Sequence, residues 1–248
     1  MKIFIVGING KMGKAICESA ERGGIEIAGG IDVAAGGKYP VFRDGKSVNV
    51  DFDVIIDFSR PSALGEVVYL AETRKAPAVI ATTGYDENQL AEIKALSEKV
   101  PVFRSANMSL GVNVVESVLP TLASALKGFD VEIVEAHHNR KADAPSGTAL
   151  QMLESVKKGL DYDPRIVYGR EGESKREKGD IGVHAIRGGT IVGEHTVMFI
   201  GEDEIVEIKH TALSRRIFAE GAVKAAAFIE GKPAGIYDMN DYIASVNE

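Results

Sequence analysis

The chain has 248 residues, of which 45% are hydrophobic and 26% charged, values typical of a folded globular protein rather than a disordered one. Its 29 basic and 36 acidic residues give a formal net charge of −7, which disfavours nucleic acid as a partner because phosphate binding needs a basic face. A single cysteine, Cys17, excludes an internal disulfide and a multi-cysteine zinc site. Neither a membrane helix nor a signal peptide is recognisable, so we expect a cytoplasmic protein.

Short apolar runs alternate with helical periods over the first 107 residues. Strands are predicted at residues 2–6, 25–31, 53–58, 78–81 and 102–103. Helices are predicted from about residue 12 to the glycines at 23 and 24, from 61 to 74, and after the capping-box residue at 86. Strands that alternate with helices in this way predict an α/β fold with a Rossmann-type, doubly wound parallel sheet.

The pattern changes after residue 107. The sequence predicts a helix over 115–126 that contains Pro120, a strand at 131–136, a helix over 149–158, a solvated loop at 161–180, an antiparallel hairpin of 190–200 with 205–211, and a last helix over 214–230. We therefore predict two domains. Residues 1–107 and 215–248 form the dinucleotide-binding domain, and residues 108–214 form an inserted α+β domain with a mixed or antiparallel sheet.

Three glycines between the first strand and the first helix indicate a phosphate loop. Gly7, Gly10 and Gly13 have the spacing G-x-x-G-x-x-G. Glycines at this point let backbone N–H groups and the positive end of the helix dipole approach a pyrophosphate. Asp32 ends the second strand, where a carboxylate accepts hydrogen bonds from an adenosine ribose. The alternative is a plain glycine turn in which Asp32 only caps the strand.

Small polar residues follow two further strands, at 82–84 and 106–107. Ligands of open parallel sheets bind beyond the carboxyl ends of the strands, so these residues are candidates to line a nicotinamide, although ordinary strand-end turns are the alternative. Asp32 favours NADH, and the next residue is Val33 rather than an arginine that would hold a 2′-phosphate. Lys11 in the loop and Lys38 nearby are nevertheless candidates to hold a 2′-phosphate. We therefore expect NADH, NADPH or both as cofactor.

The most informative segment spans residues 135–150. His137 and His138 can exchange protons near neutral pH, and Lys141 adds a positive charge or an acid. Ser146, Gly147 and Thr148 then begin a helix whose N–H groups suit a carboxylate. Together they predict a pocket for a small anionic substrate that is protonated as it reacts; the alternative is a basic surface loop. No metal is expected, because the spacing of zinc ligands is missing.

Five motifs carry a resemblance to a known family: GINGKMG at 7–13, DFSRP at 57–61, TTG at 82–84, ANMS at 106–109, and E-x-H-H-x-x-K-x-D-x-P-S-G-T-A at 135–149. Over essentially its whole length the chain resembles the 4-hydroxy-tetrahydrodipicolinate reductases (dihydrodipicolinate reductases). The resemblance implies a homotetramer and a small dicarboxylate substrate. It also implies NAD(P)H-dependent reduction of 4-hydroxy-tetrahydrodipicolinate to tetrahydrodipicolinate, with loss of water, in the diaminopimelate route to lysine.

The resemblance also implies roles for individual residues. His137 and Lys141 match the groups that exchange protons with the substrate, His138 matches a substrate-binding position, and Gly147 with Thr148 matches the turn that binds a carboxylate. The residues that match dinucleotide contacts are Gly7, Ile8, Asn9, Gly10, Lys11, Met12, Asp32, Ala81, Thr82, Thr83, Ser105, Ala106, Asn107 and Met108. The sequence departs from the family pattern at Ala81, usually glycine, and at Val33, where many members have a basic residue.

Two other functions are compatible with a nucleotide-binding domain. One is a different dicarboxylate or amino-acid dehydrogenase, against which the His-His-x-x-Lys segment argues. The other is a non-catalytic NAD(P)-sensing module, which has no need of proton-donating groups. Such a sensor would bind the nucleotide without oxidising it.

Overall fold

Residues 1–246 are described by a computed structural model, in which the chain separates into two units. One consists of Met1–Leu110 and the chain from Arg215 onward, the other of Gly111–Ser214. The strands are β1 (Lys2–Val6), β2 (Glu26–Ile31), β3 (Val41–Phe42), β4 (Val54–Asp57), β5 (Ala78–Ile80), β6 (Pro101–Arg104), β7 (Asp130–His137), β8 (Ile166–Tyr168), β9 (Ile181–Arg187), β10 (Gly193–Ile200), β11 (Ile205–Ala212) and β12 (Gly235–Tyr237). The helices are α1 (Lys11–Arg22), α2 (Leu64–Arg74), α3 (Glu87–Ser97), α4 (Leu110–Ala125), α5 (Gly147–Lys158), α6 (Arg216–Ile229) and α7 (Met239–Val246).

The first unit is built on a sheet with the strand order β12-β6-β5-β4-β1-β2-β3, in which every neighbouring pair is parallel. Two hydrophobic clusters cover its faces. Ile16 of α1 and Ala222 of α6 belong to one cluster, and Leu70 of α2 and Ile93 of α3 belong to the other. Helices on both faces of a parallel sheet confirm the predicted doubly wound, Rossmann-type fold.

The order of the strands decides which loops become neighbours. Since β4, β1, β2 and β3 are adjacent and parallel, their carboxyl ends lie along one edge of the sheet. The residues that directly follow these four strands are Phe58, Gly7, Asp32 and Arg43. Segments that are far apart in the sequence are thereby brought to the edge where ligands of such sheets bind.

Three elements of the first unit were not predicted. They are β3 with two residues, β12 with three, and the helix α7. A strand of two or three residues is too short to show an alternating pattern, and it forms because a neighbouring strand offers hydrogen bonds. β12, for instance, pairs with β6 through Gly235 and Pro101.

The second unit has a mixed sheet with the strand order β11-β10-β7-β9-β8. β10 is antiparallel to both β11 and β7, whereas β7 and β8 run parallel to β9. α4 and α5 pack on one face of this sheet, where Leu119 and Met152 meet Val183 and Phe199. This arrangement confirms the expected α+β unit with a mixed sheet and the predicted hairpin of β10 and β11.

The prediction of a solvated loop at 161–180 was wrong for Ile166–Tyr168, which forms β8, and β9 was not predicted. Charged neighbours hide this short apolar run in the sequence. In the structure they pair with each other, since Arg165 donates to both carboxylate oxygens of Asp180 at 2.8 Å. These hydrogen bonds from Arg165 lower the pKa of Asp180. They join the residues that precede β8 and β9, so the two strands begin side by side.

Gly13 lies on α1 where the helix touches the loop that follows β1. A Cβ atom at Gly13 would lie 2.1 Å from the carbonyl oxygen of Gly7, closer than any side chain can approach. We expect Gly13→Ala to lower the free energy of unfolding by about 1–3 kcal/mol, although alanine favours helix by about 1 kcal/mol. Urea unfolding followed by circular dichroism measures this change.

Gly65 on α2 is the matched control. A Cβ atom there meets nothing within 4 Å, so we expect Gly65→Ala to leave stability unchanged or to raise it by up to about 1 kcal/mol. Equal effects of the two substitutions would contradict the close contact at Gly13.

Candidate active site

A cleft of about 400 Å³ opens at the strand-end edge of the first unit. It contains two of the predicted phosphate-loop glycines and the predicted ribose-binding carboxylate. The lining residues are Val6, Gly7, Gly10, Ile31, Asp32, Val33, Arg43, Phe58, Ser59, Arg60, Ser62, Ala63 and Glu66. The cleft therefore has the position and the composition expected of a nucleotide site in this fold.

Several N–H groups of the glycine loop are already bonded within the protein. Those of Gly7 and Ile8 donate to the carbonyl oxygen of Ile31 at 2.8 and 3.4 Å, and that of Gly10 donates to the carbonyl of Gly7 at 3.0 Å. α1 starts directly after Gly10, whose lack of a side chain leaves the helix without a side-chain cap. The first turn of α1, which includes Lys11 and Met12, is thus the part of the loop best suited to a phosphate.

Asp32 fixes the loop and also lines the cleft. One carboxylate oxygen accepts the N–H of Asn9 at 2.9 Å, and the other accepts the N–H of Ala34 at 3.0 Å. Lys38, which the sequence offered as a phosphate ligand, instead forms an ion pair with Glu21 at 2.9 Å. Asp32 thus caps the end of β2 and holds the glycine loop, and its contact with a ribose stays a prediction.

The residues after β5 are held by the loop after β4. The hydroxyl oxygen of the buried Thr82 accepts the N–H of Ser59 at 2.9 Å, and the N–H of Ala81 donates to the carbonyl of Asp57 at 3.0 Å. Ala81 is buried and packs in the core. Thr83 is exposed. The methyl group that replaces the family's usual glycine is therefore accommodated in the core.

The residues after β6 form a tight turn. The hydroxyl of Ser105 donates to the carbonyl of Asn107 at 2.7 Å, and the amide oxygen of Asn107 accepts the N–H of Ser109 at 3.0 Å. The side chain of Met108 lies in the core, as does that of Ile8 in the glycine loop, while Ala106 is exposed. Met108 and Ile8 therefore offer a ligand only their backbone. All nucleotide contacts of this unit remain predictions.

The second unit contains a buried carboxylate, Glu135 on β7, with three hydrogen-bonding partners. Arg187 on β9 donates to both of its oxygens at 2.8 and 2.7 Å. The Nδ1 atom of His137 lies 2.6 Å from Oε2, and the N–H of Ser146 donates to Oε1 at 3.0 Å. Burial by itself would raise the pKa of Glu135, but the hydrogen bonds from Arg187, His137 and Ser146 outweigh it and lower the pKa.

Glu135 orients the imidazole of His137. Alternate residues of a strand share a face, so both side chains point to the same side of β7. An ionised carboxylate accepts a hydrogen bond from a protonated Nδ1, and this leaves Nε2 as the ring nitrogen that faces away from Glu135. Nε2 lies next to Gly193 on β10, where a Cβ atom would be only 3.0 Å away. The missing side chain at Gly193 thus leaves room around Nε2 of His137.

His195 on β10 lies beside this pair. It stands opposite Glu135 in the sheet register, and its ring is 5.2 Å from that of His137 in an edge-on arrangement. The hydroxyl oxygen of Ser146 accepts the N–H of Ala149 at 3.2 Å, so its own proton is free to bond Nε2 of His195 at 3.0 Å. Ser146 is buried and caps α5, and its predicted part in substrate binding stays a prediction.

The predicted substrate residues lie close to this cluster. The ammonium group of Lys141 lies 2.8 Å from the carboxylate of Asp143, and its hydrogen bond lowers the pKa of that carboxyl. Lys141 is also among the charges that act on His195. Gly147 is exposed at the first turn of α5, and a Cβ atom there would meet nothing within 4 Å. Thr148 and His138 are half-buried.

Sequence reasoning missed three members of the site cluster. Glu135 belongs to the signature, and its spacing of two from His137 on a predicted strand was a usable signal. His195 lay on a predicted strand but carried no motif. Arg187 lies on β9, which was not predicted, so nothing in the sequence pointed to it. Arg43, which lines the cleft of the first unit, was missed because it follows β3, which was not predicted either.

Comparisons with known proteins assign the family. A family model described as "Dihydrodipicolinate reductase, N-terminus" matches residues 1–108, and one described as "Dihydrodipicolinate reductase, C-terminus" matches residues 111–243. The chain belongs to the dihydrodipicolinate reductase family. This confirms the resemblance drawn from the five sequence motifs. Members of this family with a Rossmann-type domain use a pyridine nucleotide, which the cleft of the first unit suits.

Two relatives extend this family match over nearly the whole chain. A 4-hydroxy-tetrahydrodipicolinate reductase of Clostridium tetani is 48% identical over 244 residues, which cover 97% of this chain and 96% of the relative. Another, of Clostridium novyi, is 47% identical over 250 residues, 99% of each chain. The solved structure of a dipicolinate-bound dihydrodipicolinate reductase from Paenisporosarcina has the same fold, with a TM-score of 0.81, 23% identity, and coverage of 98% and 99% of the two chains.

The described residues contain neither a membrane-spanning helix nor a cluster of metal-binding side chains. Within residues 1–246, no helix is both long and apolar enough to cross a membrane. The same residues contain no cluster of three or more His, Cys, Asp or Glu side chains that could hold a metal ion.

The buried His195 predicts how stability depends on pH. Burial, together with the charge of His137, lowers the pKa of His195 to about 4. An unfolded histidine has a pKa near 6.5, so between these values the unfolded chain binds the additional proton. Protonation therefore favours unfolding, and we expect this residue to reduce the free energy of unfolding by about 3 kcal/mol between pH 7.5 and pH 4.

Chemical denaturation at a series of pH values tests this, with His195→Gln as the comparison. The variant should lose this part of the pH dependence, whatever its stability at neutral pH. Because the pKa of Glu135 is lowered in the fold, the stability that its ionised form contributes is lost at more acid pH. The effects of Glu135 and His195 on stability therefore separate. The same slope in both proteins above pH 4 would contradict the assignment.

Proposed function

We propose that the chain reduces 4-hydroxy-tetrahydrodipicolinate to tetrahydrodipicolinate, with loss of water, using NADH or NADPH, in the diaminopimelate route to lysine. The observation that carries this proposal is the cluster of His137, Glu135 and Arg187 beside Lys141 and the start of α5. A buried ion pair that orients an imidazole, an adjacent ammonium group and an open helix start together suit an anionic substrate that takes up a proton. The relatives that bear this name support the proposed substrate.

The first unit would hold the nucleotide. Its cleft offers the uncapped first turn of α1 for the pyrophosphate and Asp32 for the adenosine ribose. When bound, the nucleotide supplies the hydride. The protein would bind the nucleotide and keep it oriented.

In the second unit, His137 and Lys141 would exchange protons with the substrate. Glu135 keeps the Nδ1 side of His137 occupied, so proton exchange is confined to Nε2. Asp143 lies 2.8 Å from the ammonium group of Lys141 and holds it beside the cluster. Either group can therefore present a proton to a substrate carbon or nitrogen that gains electron density during reduction.

The dicarboxylate would be held by the helix start and its neighbours. Gly147 and Thr148 present the first turn of α5, at the positive end of the helix dipole. Ser146 holds this turn in place through its bonds to Glu135 and His195. Together with His138 and Lys141, these groups make a locally positive region in a chain whose net charge is −7.

We also propose that the chain forms a homotetramer through the second unit. α4 and α5 cover one face of its sheet, whereas the opposite face carries Val134, Met198 and two exposed isoleucines, Ile186 and Ile205, which are 51% and 60% exposed. Apolar side chains exposed on an open sheet face favour burial against another copy of the same face.

Light scattering after size-exclusion chromatography tests the oligomer. We expect a mass of four times 26.5 kDa, and a smaller mass for Ile186→Glu, because a buried charge without a partner opposes association. Val118→Glu, a change of a similarly exposed side chain on α4, is the control that should keep the mass. A monomeric wild-type chain would contradict the proposal.

Lys141→Ala tests the catalytic proposal. We expect turnover to fall by about 100-fold or more, because a proton donor typically contributes this much, while the dissociation constant of NADH changes by less than about twofold. Loss of nicotinamide absorbance with freshly generated substrate measures turnover, and the change in the fluorescence of NADH on titration with protein measures NADH binding.

Lys127→Ala is the matched control for this experiment. Lys127 forms a comparable ion pair with Asp161 at 2.7 Å, but it is exposed and lies outside the cluster, so turnover should be unchanged. Loss of turnover and of NADH binding to the same extent in Lys141→Ala would count against a role of Lys141 in the reaction.

A further inference from the structure

Arg43 lies next to Asp32 at the edge of the seven-stranded sheet. β2 and β3 pair in parallel with Ile31 opposite Phe42, so Asp32 and Arg43 are the next residues beyond the carboxyl ends of these strands. The N–H of Asp32 donates to the carbonyl of Phe42 at 3.2 Å, which continues the ladder to this point. The sheet register thus places Arg43 next to the residue that carries the predicted ribose-binding carboxylate.

The side chain of Arg43 is anchored at the cleft. Its Nη1 donates to the carbonyl oxygen of Val33 at 2.8 Å, and Arg43, Val33 and Asp32 all line the cleft. Within residues 1–246, Arg43 has no carboxylate partner within ion-pair distance. A guanidinium has five N–H donors, so most of them remain available to a ligand.

We infer that Arg43 binds the 2′-phosphate of NADPH and thereby allows the chain to use both nucleotides. This inference rests on the proposed function. The carbonyl of Val33, the residue after Asp32, holds this basic side chain at the cleft. Asp32 can accept a hydrogen bond from the free 2′-hydroxyl of NADH. The positive charge of Arg43 offsets the repulsion between the Asp32 carboxylate and the 2′-phosphate of NADPH.

Other basic side chains are less suitable. Lys38 is engaged with Glu21, and Lys11 belongs to the turn of α1 that suits the pyrophosphate. Arg60 lines the cleft, but it follows β4, which is separated from β2 by β1. Only Arg43 is paired with Asp32 by the sheet register.

Calorimetric titration of the full chain with 2′,5′-ADP and with 5′-AMP tests the inference without depending on catalysis. The wild-type chain should bind 2′,5′-ADP more tightly. Arg43→Ala should weaken binding of 2′,5′-ADP by about tenfold or more, the effect of losing a charge-assisted hydrogen bond to a phosphate, and should leave 5′-AMP binding within about twofold. The affinity of Arg43→Lys for 2′,5′-ADP should lie between those of the wild type and Arg43→Ala, because lysine keeps the charge but loses the planar guanidinium.

Lys38→Ala is the control, and its preference for 2′,5′-ADP should equal that of the wild type. Unchanged binding of 2′,5′-ADP by Arg43→Ala overturns the inference, as does an equal loss of both ligands. So does a wild-type chain that binds both equally, and in that case NADH-dependent reduction still supports the proposed function. A wild-type chain that binds neither ligand and shows no reductase activity contradicts the proposed function itself.

Discussion

The buried carboxylate of Glu135 is the contact on which the polar cluster of the second unit depends. A charge removed from water is costly unless it is paired and hydrogen-bonded, and Glu135 meets both conditions through Arg187, His137 and Ser146. The bond to Ser146 ties the first turn of α5 to β7, while the bond to His137 orients the imidazole. One carboxylate thus positions both the imidazole proposed to exchange protons and the helix start proposed to bind the substrate.

In the first unit, the ends of the strands position the residues of the candidate site. Adjacent parallel strands end at the same edge of the sheet, so Gly7, Asp32 and Arg43 become neighbours although β1, β2 and β3 are separated by a helix and a loop. The glycine loop uses several of its own N–H groups to bond this edge. What remains for a nucleotide is the uncapped turn of α1 and the side chains beside it.

Much of the fold was predictable, because long elements carry periodic patterns. β1, β7, α1 and α5 were all predicted near their observed positions. β3, β8 and β12 were not, since two or three residues show no period and such strands form only when a neighbour offers its edge. For the site, the E-x-H-H-x-x-K signature predicted the residues local to one segment, including His137 and Lys141.

By itself, the sequence determined the family, the doubly wound architecture, and the chemical character of the segment around His137, because each depends on residues close together in the chain. Only the tertiary structure decided which distant side chains join that segment. Arg187 meets Glu135 across 52 residues, and Arg43 follows β3 beside Asp32 at the end of β2, because hydrogen-bond registers between strands bring these residues together. A register between strands is set by the packing of the whole sheet, which no local pattern contains.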